Sequence, residues 1–496
     1  MPFRKYRPAA AAFALAAYCW SMISGGMAEG FTHDDLMNAG KAVFTPWRRL
    51  LLENLLIWRP SEVIRPFGEI VYRLLWDAFG FNPKPYHLFC LTLVVLNTLM
   101  AFCVARRLLG STSFALMAAW GLAFHGFFWG MYSNAGVVFD ILAATVYLAT
   151  LALALWRPLS RLGHIARLLL MALGALAALN SKEIAVSLPL AVAAVLALLH
   201  CEERRDGSIH PVPLKWDLAA CGALLLLTIP FAFGRVLGHG GLEQVPDYRL
   251  TLTSGRAVEN LAAFLSNLCY GRANWTPAGA ATAFLLPPAL FLALRWPLPF
   301  VASLMAVFSF LPLAFIPPRG LDAAYLPVFW ICLALAAALQ AALPVTSWTP
   351  VAPLVVVLAL VVTHRRIGEV PFPFFREESR SIELAYNGIR AATTDFPPNG
   401  AMAIVEDHFE QKFEWATTFM TLLALGRDDL VVLRPRELAA GAVLEPPNRS
   451  FDLVLRVTRD HGVLRCSGAA GRPLTVPDLR AGAYGCVPVV VSNTRN

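Results

Sequence analysis

Residues 9–23 of this chain read AAAAFALAAYCWSMI, and residues 31–38 read FTHDDLMN. The first stretch is largely apolar, and the second places two adjacent carboxylates, Asp34 and Asp35, a few residues beyond it. Apolar runs of about twenty residues, the length that crosses a bilayer as a helix, recur along the chain as far as residue 363. The pattern predicts an α-helical polytopic membrane protein whose first external segment begins with an acidic pair.

The composition supports this class and excludes others. Of the 496 residues, 57% are hydrophobic and only 15% are charged, whereas a soluble chain carries about 25% charged residues. The net charge of +8 is not concentrated in a Lys/Arg tract, so nucleic acid is not an expected partner. Positive loops on the cytoplasmic side and attraction to phosphate headgroups explain the charge better, which makes membrane lipids the expected surroundings.

The predicted topology follows from the basic residues beside the apolar runs. Arg4, Lys5 and Arg7 precede the first run, so we expect an uncleaved first span, a cytoplasmic N-terminus and an external acidic pair. The eleven predicted spans are 9–23, 86–105, 112–130, a run beginning near 135, a run ending at 180, 184–199, 217–234, 277–294, 298–316, 323–343 and 349–363. Residues 256–270 are predicted to lie in the interface.

A different count remains open. If residues 256–270 cross the membrane, there are twelve spans and a cytoplasmic C-terminus, an alternative that the basic end of the last run at His364 favours. Cys466, Cys486 and the external placing of Arg319 favour eleven spans. We expect a transmembrane domain over 1–366.

Residues 367–496 have the composition of a small α/β extramembrane domain. Residues 401–405 and 451–457 are predicted strands, and 415–425 is a predicted helix. Cys466 and Cys486 would form a disulfide in an oxidising compartment. The cysteine and histidine spacing does not predict a structural zinc site.

The first external loop, residues 27–84, mixes apolar, aromatic and basic residues, as helices lying in the interface do. Residues 47–52 and 70–76 show this mixture most clearly. The loop also holds seven cations, which run against the usual positive-inside bias: Lys41, Arg48, Arg49, Arg59, Arg65, Arg73 and Lys84. A polyanionic ligand such as a lipid phosphate would explain them.

Under the eleven-span topology, ionisable side chains gather at one face of the membrane. They are Asp34 and Asp35, Asp140, Lys182 and Glu183, and Arg319 and Asp322. Each has an ordinary explanation, and for the first pair it is a helix N-terminus capped by Thr32 or Asp34. Together they predict a site where cations hold a phosphate and a carboxylate accepts a proton from a hydroxyl.

Three segments carry a resemblance to a known family. They are Arg65-Pro66-Phe67 with PKPYHL at 83–88, NSKEIAVSLP at 180–189, and Arg319 followed by Tyr325-Leu326-Pro327. With the acidic pair, they resemble the GT-C polytopic glycosyltransferases over residues 10–345. The resemblance is to the protein O-mannosyltransferase-like group that includes the transmembrane-and-tetratricopeptide mannosyltransferases.

The resemblance implies an inverting glycosyltransferase that takes a sugar from a polyprenyl-phosphate donor to a hydroxyl of a protein, lipid or glycan acceptor. It implies Asp34 as general base, with Asp35 as its orienting partner or substitute. Arg65, Lys182 and Arg319 would hold the donor phosphate. Glu183 would orient Lys182 or contact the sugar, and the further implied substrate residues are His87, Asp140 and Tyr325. Asp34, Asp35 and Asp140 are also candidate ligands for Mg²⁺ or Mn²⁺.

The chain departs from the family pattern at several places. Trp129 stands near a family glutamate, Asn134-Ala135-Gly136 replaces a Gly-Arg segment, and Pro318 replaces the glutamate before Arg319. The sequence shows no tetratricopeptide array. These departures weaken the assignment of Asp140 more than that of Asp34.

Three other functions compete with this one. A polymerase or ligase of lipid-linked glycans usually carries its large external loop late in the chain, and here that loop is the first. A transporter or flippase would place charges near the bilayer midplane and show repeat symmetry. A non-catalytic assembly scaffold is the third alternative. The Ala-, Arg- and Pro-rich composition is typical of a bacterial inner-membrane protein, whose carrier would be undecaprenyl phosphate.

Overall fold

The computed structural model describes residues 7–56, 65–205, 214–237, 248–344, 346, 349–368, 370–409, 413, 415–441, 449–459 and 462–489. The predicted fold class is confirmed: the chain is mainly α-helical, and a small sheet follows at its C-terminal end. Among the residues that the sequence analysis singled out, Arg4, Lys5 and Arg59 lie outside the described residues.

Most of the helices are long and apolar, and shorter ones lie between some of them. They are α1 Arg7–Ile23, α2 His33–Phe44, α3 Trp47–Glu53, α4 Pro66–Phe79, α5 Pro83–Leu109, α6 Thr112–Ala123, α7 Trp129–Ser133, α8 Val138–Leu155, α9 Arg161–Leu179, α10 Leu188–Arg205, α11 Leu214–Leu237, α12 Ser254–Leu268, α13 Pro277–Ala293, α14 Pro297–Ala314, α15 Tyr325–Ala342, α16 Val351–Ile367, α17 Phe372–Ala392, α18 Ala416–Leu425, α19 Pro435–Ala439 and α20 Val476–Arg480.

A helix covers each of the eleven predicted spans, but not every helix is long enough to cross a membrane alone. In the described part of the chain, eight helices meet the length and apolarity of a span, and two bent pairs raise the number to ten. One bent pair is the third predicted span, where α6 and α7 meet at 52°. The helix α13, at 17 residues, is shorter than these spans.

The ends of α1 and α16 lie side by side. The hydroxyl of Tyr18, in α1, is 2.9 Å from Nδ1 of His364, in the last turn of α16. Both helices therefore run toward the same face. A shared direction of this kind fits an odd number of crossings from α1 to α16, and the choice between eleven and twelve spans stays a prediction.

The amphipathic helix α12 packs across the end of α14. The amide of Asn260 donates to the carbonyls of Leu313, Ala314 and Ile316 at 3.1, 3.0 and 2.8 Å. The last carbonyls of a helix have no partner within it, so this side chain satisfies groups that would otherwise need water. A position across the end of a span is the one predicted for an interfacial helix.

The C-terminal sheet has five strands in the order β2-β1-β3-β4-β5. They are β1 Ala401–Asp407, β2 Val431–Leu433, β3 Leu453–Thr458, β4 Gly462–Ser467 and β5 Gly485–Pro488. Strands β2, β1 and β3 are parallel, and β3, β4 and β5 are antiparallel. The predicted strands and helix of this region are confirmed, and Cys466 and Cys486 are joined in a disulfide across β4 and β5.

This C-terminal portion is seated on the first loop. A Cβ on Gly40, in α2, would come within 2.3 Å of the Phe419 ring in α18. At the start of α2, two turns before Gly40, His33 stacks on Phe413 with ring centroids 3.3 Å apart. Only a residue without a side chain allows the first of these approaches. The sheet and its helices therefore lie on the same face as the first loop.

Candidate functional site

The acidic pair lies in the first turn of α2, and Asp35 takes part in capping the N-terminal end of that helix. Thr32 is the N-cap, and Asp35 Oδ2 accepts from the Thr32 backbone N–H at 2.7 Å and from its hydroxyl at 3.0 Å. The Tyr72 hydroxyl donates to the other oxygen at 2.7 Å. This is a capping box of the type S/T-x-x-D, completed by a tyrosine from α4. The predicted cap is thus confirmed, with Thr32 as the capping residue.

Asp35 is fully buried, and burial raises the pKa of its carboxyl to about 6. The three hydrogen bonds from Thr32 and Tyr72 act in the opposite direction, because they stabilise the ionised form. With both oxygens occupied and no access to solvent, Asp35 is placed to hold the start of α2 rather than to meet a substrate.

Asp34 has the opposite surroundings. Its side chain is 41% exposed, and Oδ2 accepts one long hydrogen bond, 3.4 Å, from the Asn134 amide. Its Oδ1 lies 3.5 Å from Nε2 of His33. A Cβ on Gly136 would approach Asp34 Cβ to 2.8 Å, so the segment before α8 packs closely against this side chain. Asp34 is therefore an accessible carboxylate on a fixed helix start.

His33 connects the start of α2 to α17. Its Nδ1 lies 2.7 Å from Oε1 of Glu378. The neighbouring residue Glu29 is bonded to the same helix, because Nε of Arg376 donates to its Oε1 at 2.9 Å. The acidic pair is thus positioned by groups from both the first loop and the C-terminal portion.

A second polar cluster forms around a residue that the sequence did not single out, Tyr248. Arg65 Nη2 donates to its hydroxyl at 3.0 Å, and the guanidinium of Arg319 lies 4.3 Å from its ring centroid. The Lys182 ammonium lowers the pKa of the phenol, with smaller contributions in the same direction from the two arginines. Three of the predicted phosphate-binding cations therefore converge on one ring.

Two carboxylates hold these cations in place. Lys182 Nζ donates to Asp140 Oδ2 at 2.9 Å, and Arg65 Nη2 donates to Glu183 Oε2 at 3.1 Å. Glu183 thus pairs with Arg65, and its predicted role toward Lys182 or the sugar stays a prediction. All four side chains are less than a fifth exposed, so the pairs are shielded from solvent and less screened by salt.

Local structure explains why these side chains meet. Arg65 is the N-cap of α4, whose first position is the helix-starting Pro66. Asp140 lies in the first turn of α8, where the helix dipole favours a carboxylate. Lys182 precedes a short 3₁₀ segment, Glu183–Ser187, that joins α9 to α10. Each charge therefore sits at a helix end on the same face.

The two clusters are linked through α4 and the start of α8. Tyr72, which bonds Asp35, stacks near Phe139 with centroids 6.1 Å apart, and the Arg65 guanidinium lies 5.7 Å from the same ring. Asn134, which bonds Asp34, begins the segment that leads to Asp140. The predicted base and the predicted phosphate cations thus belong to one packed region.

Two predicted substrate residues are not in this region. His87 is buried and its Nε2 lies 3.1 Å from the Gly30 carbonyl, which is the packing role of a helix-start residue. Tyr325 is buried too, and its ring packs against Phe128 with centroids 5.2 Å apart. Both residues make packing contacts in this structure, and their predicted contact with substrate stays a prediction.

The acidic residues do not fit the predicted divalent-metal site. Asp35 has both oxygens occupied, and Asp140 is paired with Lys182. Across the described ranges, no group of three or more His, Cys, Asp or Glu side chains is placed to hold a metal ion. The cationic surroundings of Asp140 oppose a second cation on electrostatic grounds.

No family model matches this chain, and no curated protein matches its sequence. Among solved structures it is similar to ArnT from Cupriavidus metallidurans bound to undecaprenyl phosphate, with 13% identity, 90% of this chain and 92% of that chain covered, and a TM-score of 0.47. It is also similar to the Archaeoglobus fulgidus oligosaccharyltransferase in complex with zinc and sulfate, with 13% identity, 90% and 68% coverage, and a TM-score of 0.46. A third similar structure is the same enzyme tethered to an acceptor peptide containing the NVT sequon. It shows 12% identity, coverage of 88% of this chain and 65% of that chain, and a TM-score of 0.45. Similarity at this level does not establish a family or an activity.

Proposed function

We propose that this chain is a membrane-embedded inverting glycosyltransferase, which moves a sugar from a polyprenyl-phosphate donor to an acceptor hydroxyl at the external face. The observation that carries the proposal is the convergence of Arg65, Lys182 and Arg319 on Tyr248, in the same packed region as Asp34. In a bacterial inner membrane the carrier would be undecaprenyl phosphate, and the site would face the periplasm.

The three cations suit a phosphate that gains charge as it leaves. Guanidinium groups pair with phosphate oxygens in a fork geometry, and an ammonium adds a compact point charge. The carboxylates of Asp140 and Glu183 fix two of these cations before any ligand arrives. Pre-ordered charge of this kind stabilises a developing anion without a cost of reorganisation during the reaction.

In the proposed step, the acceptor oxygen attacks the anomeric carbon from the face opposite the phosphate. The bond between that carbon and the phosphate oxygen breaks, and its electron pair leaves on the polyprenyl phosphate. The hydroxyl proton passes to the Asp34 carboxylate, which acts as general base. The products are an inverted glycoside, polyprenyl phosphate and a protonated Asp34 that returns its proton to solvent.

Exposure and hydrogen bonding support a division of labour within the acidic pair. Asp34 is 41% exposed and has only long contacts to its oxygens. Asp35 is buried and accepts three hydrogen bonds. We therefore assign proton transfer to Asp34 and positioning to Asp35.

The position of the charges favours this function over a transporter. The groups of both clusters lie at helix ends or in connecting segments, whereas a transporter places ionisable groups near the midplane of its spans. The motifs around Arg65, Lys182 and Arg319 that resemble GT-C enzymes support the same choice.

The proposal is tested with the purified full chain in proteoliposomes and a panel of labelled polyprenyl-phosphate sugars. Release of polyprenyl phosphate with inversion at the anomeric carbon is expected. Arg65→Met and Arg319→Met should each lower turnover roughly 100-fold, while Arg48→Met, on an exposed cation of the same loop, should not. Retained configuration, or equal loss in the control variant, would contradict the assignment.

A further inference from the structure

A polar cavity of about 710 Å³ lies beside the exit of α1. Its walls come from the segment after α1, the start of α5 and one face of α17. The charged side chains that line it are Glu29, Lys84, Arg376, Arg380 and Glu383. None of these residues belongs to the cluster around Tyr248.

A second cavity of about 570 Å³ adjoins the first and has a different lining. It lies where the ends of α1, α6 and α16 meet the start of α17. Its lining combines apolar and aromatic side chains, Met22, Phe124 and Phe372 among them, with the polar groups of His364, Arg365 and Arg376. Because it sits at the ends of spans, this cavity is at the level where a membrane would end. Arg376 lines both cavities.

Arg376 is anchored at one end and free at the other. Its Nε donates to Oε1 of Glu29 at 2.9 Å, and the Glu29 side chain is completely buried while that of Arg376 is 49% exposed. In the part of the chain that the structure describes, Nε is the only guanidinium nitrogen of Arg376 with a partner. The two terminal nitrogens are therefore presented at the junction of the two cavities.

The walls of the polar cavity are tightly fixed. A Cβ on Gly25 would come within 2.8 Å of the Phe372 ring, and one on Gly30 within 2.8 Å of Ser379 Cβ. Ser379 is 5% exposed, and its hydroxyl has no hydrogen-bond partner among the described residues. The same is true of Oε2 of Glu29. Buried polar groups without partners are uncommon in native proteins, and a bound water, ion or ligand can supply the missing partner.

We infer that the two cavities together bind an amphiphile whose phosphate group pairs with Arg376. Its apolar chain would occupy the smaller cavity, and its polar head would occupy the larger one. The inference that this amphiphile is the acceptor, and hence that the acceptor is a phosphate-bearing lipid, rests on the proposed transfer reaction.

The start of α2 contacts both the amphiphile site and the donor site. His33 bonds Glu378 on α17, beside Ser379, while Asp34 bonds Asn134 ahead of Asp140. A lipid head in the larger cavity would therefore lie near the base and away from the Tyr248 cluster that binds the donor phosphate. Asn82 and Asn387, which also line this cavity, are suited to hydrogen bonds with sugar hydroxyls.

The test measures binding of two phosphate amphiphiles to the purified full chain by native mass spectrometry in detergent. The probes are dioctanoyl phosphatidic acid and undecaprenyl phosphate. Arg376→Gln is expected to weaken phosphatidic acid binding at least tenfold and to leave undecaprenyl phosphate binding unchanged. Lys182→Met is expected to do the reverse. Arg366→Gln, an exposed cation on α16 outside both cavities, serves as the matched control.

Folding defects are separated from lost binding by a second variant. Arg376→Gln leaves the Glu29 carboxylate buried without its arginine, so Glu29→Gln with Arg376→Gln removes both charges together. The double variant should keep the thermal stability of the native chain and still fail to bind phosphatidic acid.

Wild-type binding of phosphatidic acid in both Arg376 variants would overturn the inference. The inference would also be overturned if Arg376→Gln lost binding of undecaprenyl phosphate while Lys182→Met retained it. The cavity would then be the donor site. Phosphatidic acid binding that depends on Arg376, in a chain that transfers no sugar, would support the amphiphile site and refute the proposed function instead.

Discussion

The hydroxyl of Tyr72 lies 2.7 Å from Oδ1 of Asp35, and this contact separates the two members of the acidic pair. With Thr32 on its other oxygen, Asp35 is saturated and closed to solvent. Its neighbour Asp34 keeps an exposed carboxylate. One adjacent pair thus supplies a fixed helix start and an accessible base.

Asp35 makes the stability of the protein depend on pH. Its folded pKa of about 6 lies above the usual aspartate value of about 4, so the folded state binds the proton more tightly than the unfolded state. The free energy of unfolding should fall by about 3 kcal/mol as the pH rises from about 4 to about 6. Asp35→Asn should remove that slope in thermal unfolding from pH 4 to 8, whereas Asp34→Asn should keep most of it. A slope unchanged in Asp35→Asn would refute the assignment.

The Lys182–Asp140 pair should behave as a coupled unit. Lys182→Met and Asp140→Asn each leave one shielded charge without its partner, so each should destabilise the protein by about 1–3 kcal/mol. The double variant should lose less than the sum, with a coupling energy of at least about 1 kcal/mol. Denaturant unfolding in detergent measures the cycle.

The exposed pair of Arg456 and Glu406 is the control for that cycle, because exposed ion pairs contribute little. Its two substitutions should be additive. The double variant Lys182→Met, Asp140→Asn should regain part of the stability that each single variant loses. Its KM for the donor should still be raised, because the phosphate-binding ammonium of Lys182 is missing. A double variant with a wild-type KM would remove Lys182 from the donor site.

Tyr248 should affect donor affinity in two stages. Tyr248→Phe keeps the ring under Arg319 and loses the hydrogen bond from Arg65, so donor affinity should fall about fivefold, the effect of one such bond. Tyr248→Ala also loses the cation–π contact and should fall further. Tyr484→Phe, in the C-terminal portion, is the matched control. Equal affinities in the Phe and Ala variants would show that the ring has no part in the site.

The shared direction of α1 and α16 predicts an external C-terminal portion. A periplasmic phosphatase fused after residue 489 should be active in cells, and the same enzyme fused at 349, between α15 and α16, should be inactive. An inactive fusion at the C-terminus, or an active one at 349, would contradict the eleven-span topology.

Much of the helical scaffold could be predicted from the sequence because the patterns that indicate it are local. A span shows as a long apolar run, and a charge at its end stands out against that background, so Lys182 and Arg319 were found from their positions. Arg65 was found from the segment that resembles the GT-C enzymes. Thr32 and Asp35 have the spacing of a capping box, which is also a local pattern.

Other features depend on contacts between distant residues. Tyr248 joins the site through Arg65, which is 183 residues away in the chain, and no periodic pattern surrounds it. The packing of α18 against α2 depends on the close approach of Phe419 to Gly40. Neither residue has a local sequence pattern that predicts this contact. The bend between α6 and α7 is hidden because hydropathy sums over a run and does not register a break at His125.

His87 and Tyr325 show the limit of reading a role from a motif. Each lies in a segment that resembles a family motif, yet the structure uses both for packing. Residues within such a segment can serve packing as well as chemistry, and the sequence alone does not distinguish the two roles.

The central claim is that Asp34 is the base of a sugar transfer, and turnover of a polyprenyl-phosphate sugar by Asp34→Asn tests it most directly. The substitution removes proton acceptance from an exposed side chain, so folding and donor binding should be unchanged while turnover falls at least about 100-fold. Asp35→Asn should instead lower thermal stability and retain more activity per folded molecule. Wild-type turnover in Asp34→Asn would contradict the account.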